Sequence, residues 1–257
     1  MSEGDRGPTD PVGEFAKELA KQFPVKAVYD DVVAPPARQA GQVLTDIVKT
    51  IQLALAPLQF AGAYQDRLRA FIDKSIRRVL EQKRVSPAPQ ILGPIIEGIR
   101  YEPEDTPIDE MFSQLLSSAL DADRVNEAHP AFPAIVRQLA ADEARILTRL
   151  AKGPHNYVWT MKYDADRALF VGPKSIEIDD LPKDDLRFSG NVPLYMDHLN
   201  QLGLAGIFQE GNQAPIMGDK PGTRIQVGVR AHCRYRLTVW GERFVQACSA
   251  PGLSRGS

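Results

Sequence analysis

The sequence predicts a mainly α protein, with an N-terminal helical bundle over residues 10–152 followed by a winged-helix-like α+β part over residues 153–250. Three observations lead to that class. Apolar residues recur at three- and four-residue intervals as far as residue 152, the period of helices with one buried face. β-branched and aromatic alternation becomes common only after residue 156. The closing stretch reads as helix, strand, long hairpin, strand and helix, which is the second half of a winged helix. The polar ends, residues 1–9 and 251–257, are expected to be disordered.

The elements follow in order. Asp10 is a good N-cap for a helix opening on Pro11, and Val12, Phe15, Leu19 and Phe23 form its apolar stripe up to Pro24. After Pro35 and Pro36, the residues Leu44, Ile47, Val48, Ile51 and Leu55 share one helical face until Pro57 interrupts it. The next helix is expected to bury Phe60, Tyr64, Leu68, Phe71, Ile72, Ser75 and Val79. Its stretch from Asp66 to Arg84 carries seven basic residues against three acids, so it is a basic amphipathic helix. Such a helix suits a solvated outer face, and it equally suits contact with anionic lipid or a partner through Arg77, Arg78, Lys83 and Arg84. Pro87, Pro89, Gly93 and Pro94 introduce a helix through Ile95, Ile96 and Ile99. Thr106 caps the helix that begins at Pro107, whose dense apolar run through Leu120 marks it as central. Asp121 to Glu127 is a polar turn. Phe132 to Leu139 and Asp142 to Lys152 supply two more helices, the last stopped by Gly153 and Pro154.

Strands are expected at Tyr157–Met161 and around Ala168–Val171, and the acidic stretch Glu177 to Asp185 reads as a loop. Asn191 to Leu202 is a helix closed by Gly203, and Leu204 to Phe208 is a strand. Arg224 to Leu237 returns as another strand before Thr238 caps the last helix. In a winged helix the Asn191–Leu202 helix would enter a major groove, yet it has no Lys or Arg. The hairpin is better supplied, with Lys220, Arg224, Arg230, Arg234 and Arg236 as candidate nucleic-acid contacts.

Composition bounds the chemistry. The chain has 257 residues, a net charge of −2, and 43% hydrophobic and 25% charged residues, which excludes wholesale disorder and a polytopic membrane protein. Two cysteines, Cys233 and Cys248, cannot build a disulfide framework or complete a four-ligand zinc site. Reduced thiols, and an N-terminus without the apolar core of a secretory signal, give a cytoplasmic expectation. The longest run without a charged residue, Thr50 to Gln65, is 16 residues, short of an ordinary spanning helix. No phosphate-cradling Gly loop and no Gly-x-Gly-x-x-Gly occurs. The four histidines are widely spread. The acids Glu177, Asp179, Asp180, Asp184 and Asp185 could be gathered into a metal cluster, but a solvated acidic loop is the simpler reading. The expectation is therefore a non-enzymatic protein with no cofactor, no metal and no catalytic residues.

The run His129-Pro130-Ala131-Phe132 through Val136-Arg137-Gln138-Leu139, followed by Asp142-Glu143-Ala144-Arg145-Ile146-Leu147, resembles the abortive infection alpha (Abi-alpha) proteins of bacteria. Asp109-Glu110-Met111-Phe112 with Leu115-Leu116, the break at Pro57-Leu58, and the ending Leu199 to Leu204, Tyr235-Arg236-Leu237-Thr238 and Gly241 to Phe244 carry the same resemblance. It spans roughly residues 25 to 250, and its specificity lies in the order of short motifs. The resemblance implies anti-phage defence, and it brings no catalytic residues. On this basis the bundle is expected to act as an effector or oligomerisation module and the winged part to sense a protein partner, or the chain to self-associate. Two alternatives remain: a DNA-binding regulator, and a helical effector that makes transient membrane contact through residues 44–84.

Overall fold

Pro107 sits where its missing amide proton costs nothing, and Thr106 accepts a hydrogen bond from the Asp109 amide at 3.0 Å, so a helix starts there by local chemistry alone. The computed structural model describes residues 62–220 and 222–251. The helices expected at 10–24 and 35–55, the break at Pro57 and both chain ends lie outside the described residues, as does the Lys220 side chain. The chain divides into two compact units between Gln138 and Leu139.

The described part of the first unit is helical: α1 (Gly62–Ile76), α2 (Pro89–Ile99), α3 (Pro107–Leu120) and the short α4 (Phe132–Val136). As its density of apolar residues suggests, α3 is central, packing on α1, α2 and α4. Phe71, Ile95, Ile99, Phe112, Leu115, Leu116, Phe132 and Val136 form the core, each at most 1% exposed. Small residues let α1 and α3 approach closely. The Ser75 and Ser113 hydroxyls lie 3.0 Å apart, and Ser117 donates to the Ser75 carbonyl at 3.0 Å, so the buried hydroxyls are satisfied. Pro94 lies inside α2 rather than ahead of it, because only one intrahelical bond is lost in a helix whose Ile91, Leu92, Ile95, Ile96 and Ile99 are all buried.

The basic helix meets an acidic one. Asp109, 2% exposed, accepts from Arg67 at 2.7 Å and Lys74 at 3.3 Å, while Glu110 pairs with Lys74 at 3.1 Å and Arg78 at 2.8 Å. Burial pushes the Glu110 carboxyl up, but the Arg78, Gln114 and Lys74 hydrogen bonds outweigh it and hold it below the ordinary value. Asp109→Ala takes the buried carboxylate away from Arg67 and one of its acidic partners from Lys74, and is expected to cost about 2 kcal/mol or more, read as a lower midpoint in urea denaturation.

The second unit is α+β. Helix α5 (Ala141–Leu150) precedes strands β1 (His155–Asp164) and β2 (Leu169–Asp179). Helix α6 (Val192–Gln201), strands β3 (Ala205–Gln209), β4 (Ala214–Lys220) and β5 (Thr223–Leu237), and helix α7 (Val239–Cys248) complete it. The antiparallel sheet runs β2-β1-β5-β3, with β4 pairing the remaining length of β5. Fifteen-residue β5 is thus the spine of a curled sheet. Its Val229, Ala231, Cys233, Tyr235 and Leu237 are buried, and the even-numbered residues between them form the other face.

This architecture corrects the expected class. The described residues form an α+β fold with a curled antiparallel sheet, which overturns the mainly α class with an N-terminal bundle followed by a winged-helix-like part. Two of the helices on which the bundle rested, at 10–24 and 35–55, lie outside the described residues, and the one at 142–152 belongs to the second unit. The sheet is larger than expected because β2 runs for eleven residues into the acidic stretch, where Glu177 and Asp179 stand on a strand and not in a loop.

Candidate functional site

Alternation along β5 puts Arg230, Arg234 and Arg236 on one face, as nucleic-acid binding through the hairpin would need, but the register shift opposite Ile216 and Met217 interrupts the alternation before Arg224. The same face supplies their partners. Arg230 makes two bonds to Glu177, at 2.8 and 3.1 Å, which raise its affinity for the proton. Arg234 pairs with Glu210 at 3.0 Å, and the Arg236 guanidinium stacks 4.2 Å from the Phe208 ring centroid. Arg224 stands opposite Asp219 in the β4–β5 register. A phosphate would have to displace these contacts before it gained any.

The second set of candidate cations fares similarly. Arg78 pairs with Glu110, Lys83 with Asp123 at 2.6 Å, and the Arg84 Nε donates to the Val79 carbonyl at 3.1 Å. The Asp123 contact also raises Lys83 above its ordinary value. Arg77 is left exposed. Among the described residues no helix is long and apolar enough to cross a membrane.

The acids of residues 177–185 do not converge. Glu177 holds Arg230, Asp179 holds Lys183 at 2.6 Å, Asp180 accepts from the Asn156 amide and side chain at 2.5 and 2.7 Å, and Asp185 pairs with Arg149. Each ties a different part of the unit together. Among the described residues no group of three or more His, Cys, Asp or Glu is placed to hold a metal ion. Both cysteines are buried.

A polar centre that sequence reasoning missed lies at the start of α5. Asp142, 3% exposed, accepts from the Arg187 amide at 3.0 Å, the Phe188 amide at 2.9 Å and Arg145 at 2.9 Å. Burial pushes its carboxyl up, but those donors prevail and hold it below the ordinary value. Beside it Glu143 accepts from the Ala140 amide at 2.7 Å and meets His198 Nδ1 of α6 at 2.7 Å. Both acids lie in the first turn of α5, where the helix dipole favours them. This centre fastens the loop before α6, and α6 itself, to α5.

Four exposed apolar residues gather on one edge strand of the sheet. β2 is its outermost strand, and Leu169, Phe170, Ile176 and Ile178 are between 46% and 55% exposed. The segment Ser175-Ile176-Glu177-Ile178-Asp179 alternates in the period of a strand, a signal masked in the sequence by its acidic residues. Next to it a groove of about 680 Å³ opens over β1, β2, β4 and β5.

The order of α3, α4, α5 and the closing β5–α7 pair is that of the motifs quoted from the sequence. The family model described as abortive infection alpha matches residues 63–248. The chain belongs to the abortive infection alpha family. Comparison with curated proteins and with solved structures gives no match. The abortive infection alpha match includes most of both units, so the polar centre of α5, the β2 edge and the groove all lie inside the family region.

Proposed function

We propose that this chain takes part in abortive-infection defence without catalysing a reaction, acting through contact with a protein partner. In this reading the sheet unit recognises the partner and the helical unit serves as effector or self-association module. The observation that carries it is the β2 edge. A strand at a sheet edge offers unpaired amides and carbonyls, and here it is flanked by half-exposed Leu169, Phe170, Ile176 and Ile178. Isolated exposed apolar residues need no explanation, but four on one edge strand suit an extended segment of another protein. The bulge at Gly172-Pro173-Lys174 interrupts that edge, as strands protected against indiscriminate pairing do.

The internal pairing of the arginines and of the acidic stretch supports contact over catalysis or phosphate binding. The full-length chain, incubated with DNA and RNA with and without Mg2+ or Mn2+, is expected to leave them intact. Cutting that Asp179→Ala or Asp184→Ala stops would overturn the non-catalytic reading. Duplex binding that weakens steeply with salt and drops in Arg234→Ala and Arg236→Ala would favour a DNA-binding role instead.

A further inference from the structure

We propose that the groove in the curled sheet binds an aliphatic carboxylate, a medium- to long-chain fatty acid, with its head group on Lys162. This goes beyond the partner reading and does not depend on it. The groove follows from the register. Thr160 stands opposite Arg230 and Ser175, Lys162 opposite Gly228 and Val171, and Ile216 opposite Gly228, so these side chains share one face. Gly228 is the floor. A Cβ there would lie 2.9 Å from the Met161 carbonyl oxygen and 3.3 Å from Ile216 Cδ1, so glycine leaves the floor open where another residue would crowd it.

The β2 bulge forms a wall. Between Val171 and Ser175, three residues face Met161 alone, and Gly172, at φ +78°, turns the chain outward. Ile216 and Val227 line the groove as well. Its volume, about 680 Å³, is that of a small-molecule site.

Its chemistry selects the ligand class. Lys162 is the lining residue that carries a charge, and among the described residues it makes no ion pair. Thr160 contributes a hydroxyl whose contact with the Ser175 carbonyl, at 3.5 Å, is at the limit of a hydrogen bond. One cation suits a single negative charge and not a polyphosphate. Apolar walls suit a hydrocarbon tail. Away from the β2 bulge the backbone groups around the groove are paired in the sheet, so the amides of a peptide would find few partners, whereas an alkyl chain asks for none.

The test is calorimetric titration of the full-length chain with decanoate below its micellar concentration, beside decyltrimethylammonium and a short peptide ending in leucine. Saturable one-to-one binding of decanoate is expected. Lys162→Glu should weaken it about fivefold, by replacing attraction with repulsion at an exposed site. Val171→Asp, which puts a charge against the tail, should weaken it about tenfold or more. Thermal melting of both variants reports whether the fold is kept, and Ile216→Trp, which fills the groove without adding charge, gives a separate reading. Absent or unsaturable binding would overturn the assignment. So would equal affinity for the cationic amphiphile, tighter binding of the peptide, or binding indifferent to Lys162→Glu and to both groove-wall changes.

Discussion

Asp142→Ala is expected to lower the stability of the second unit by about 3 kcal/mol, because it strands two backbone amides and a guanidinium that converge on one buried carboxylate. For a unit of this size that is a fall of about 10 °C in Tm. The effect carries a pH signature. The carboxyl is held below its ordinary value in the folded chain, so its contribution is fully present above the unfolded value, about pH 4. It is lost as pH falls through the folded value. The gap between wild type and Asp142→Asn should therefore be widest at neutral pH and close on acidification, as melting curves at pH 7 and pH 3 would record. A gap that does not change over that range would mean the carboxylate is not what fastens the loop.

Gly241→Ala is expected to be at least as damaging. Thr238 caps α7, accepting from the Gly241 amide at 2.9 Å, while its own amide donates to the Leu204 carbonyl at 2.9 Å. These bonds draw the first turn of α7 against the start of β3. An added Cβ at residue 241 would overlap the Leu204 carbonyl, reaching 2.7 Å from its carbon, and backbone on both sides leaves nothing flexible to yield. The expected cost is about 3 kcal/mol or more, whereas Glu242→Ala, one residue on and exposed, should change stability by about 0.5 kcal/mol or less. Equal melting temperatures for the two variants would contradict this packing.

Local chemistry made several elements legible. Thr106 and Thr238 announced their helices, and the apolar density of residues 108–120 marked α3 as central, because caps and a 3.6-residue period act within a few residues. The strand at Arg224–Leu237 was visible through its alternation. What failed depended on long-range pairing. The arginines on β5 looked available for phosphate because their partners, Glu177 on β2, Phe208 on β3 and Glu210 just after it, are distant from them in sequence. The loop expected at Glu177 to Asp185 holds from Asp180 on, but Glu177 to Asp179 belong to β2, where solvated carboxylates on an edge strand hide the alternation of Ile176 and Ile178. Asp142 and Glu143 read as ordinary first-turn acids, since nothing near them in sequence shows that Arg187, Phe188 and His198 come to meet them. The α+β class was missed for the same reason: a sheet is assembled from strands distant in sequence, and β2 is its least obvious member.

The role of the β2 edge can be measured directly. Ile176→Lys together with Ile178→Lys adds charge to two half-exposed positions, so the purified variant should melt within a few degrees of wild type. In cells challenged with a phage that the wild-type chain excludes, the account predicts that this variant gives no protection. Full protection from a folded double-lysine chain would contradict it.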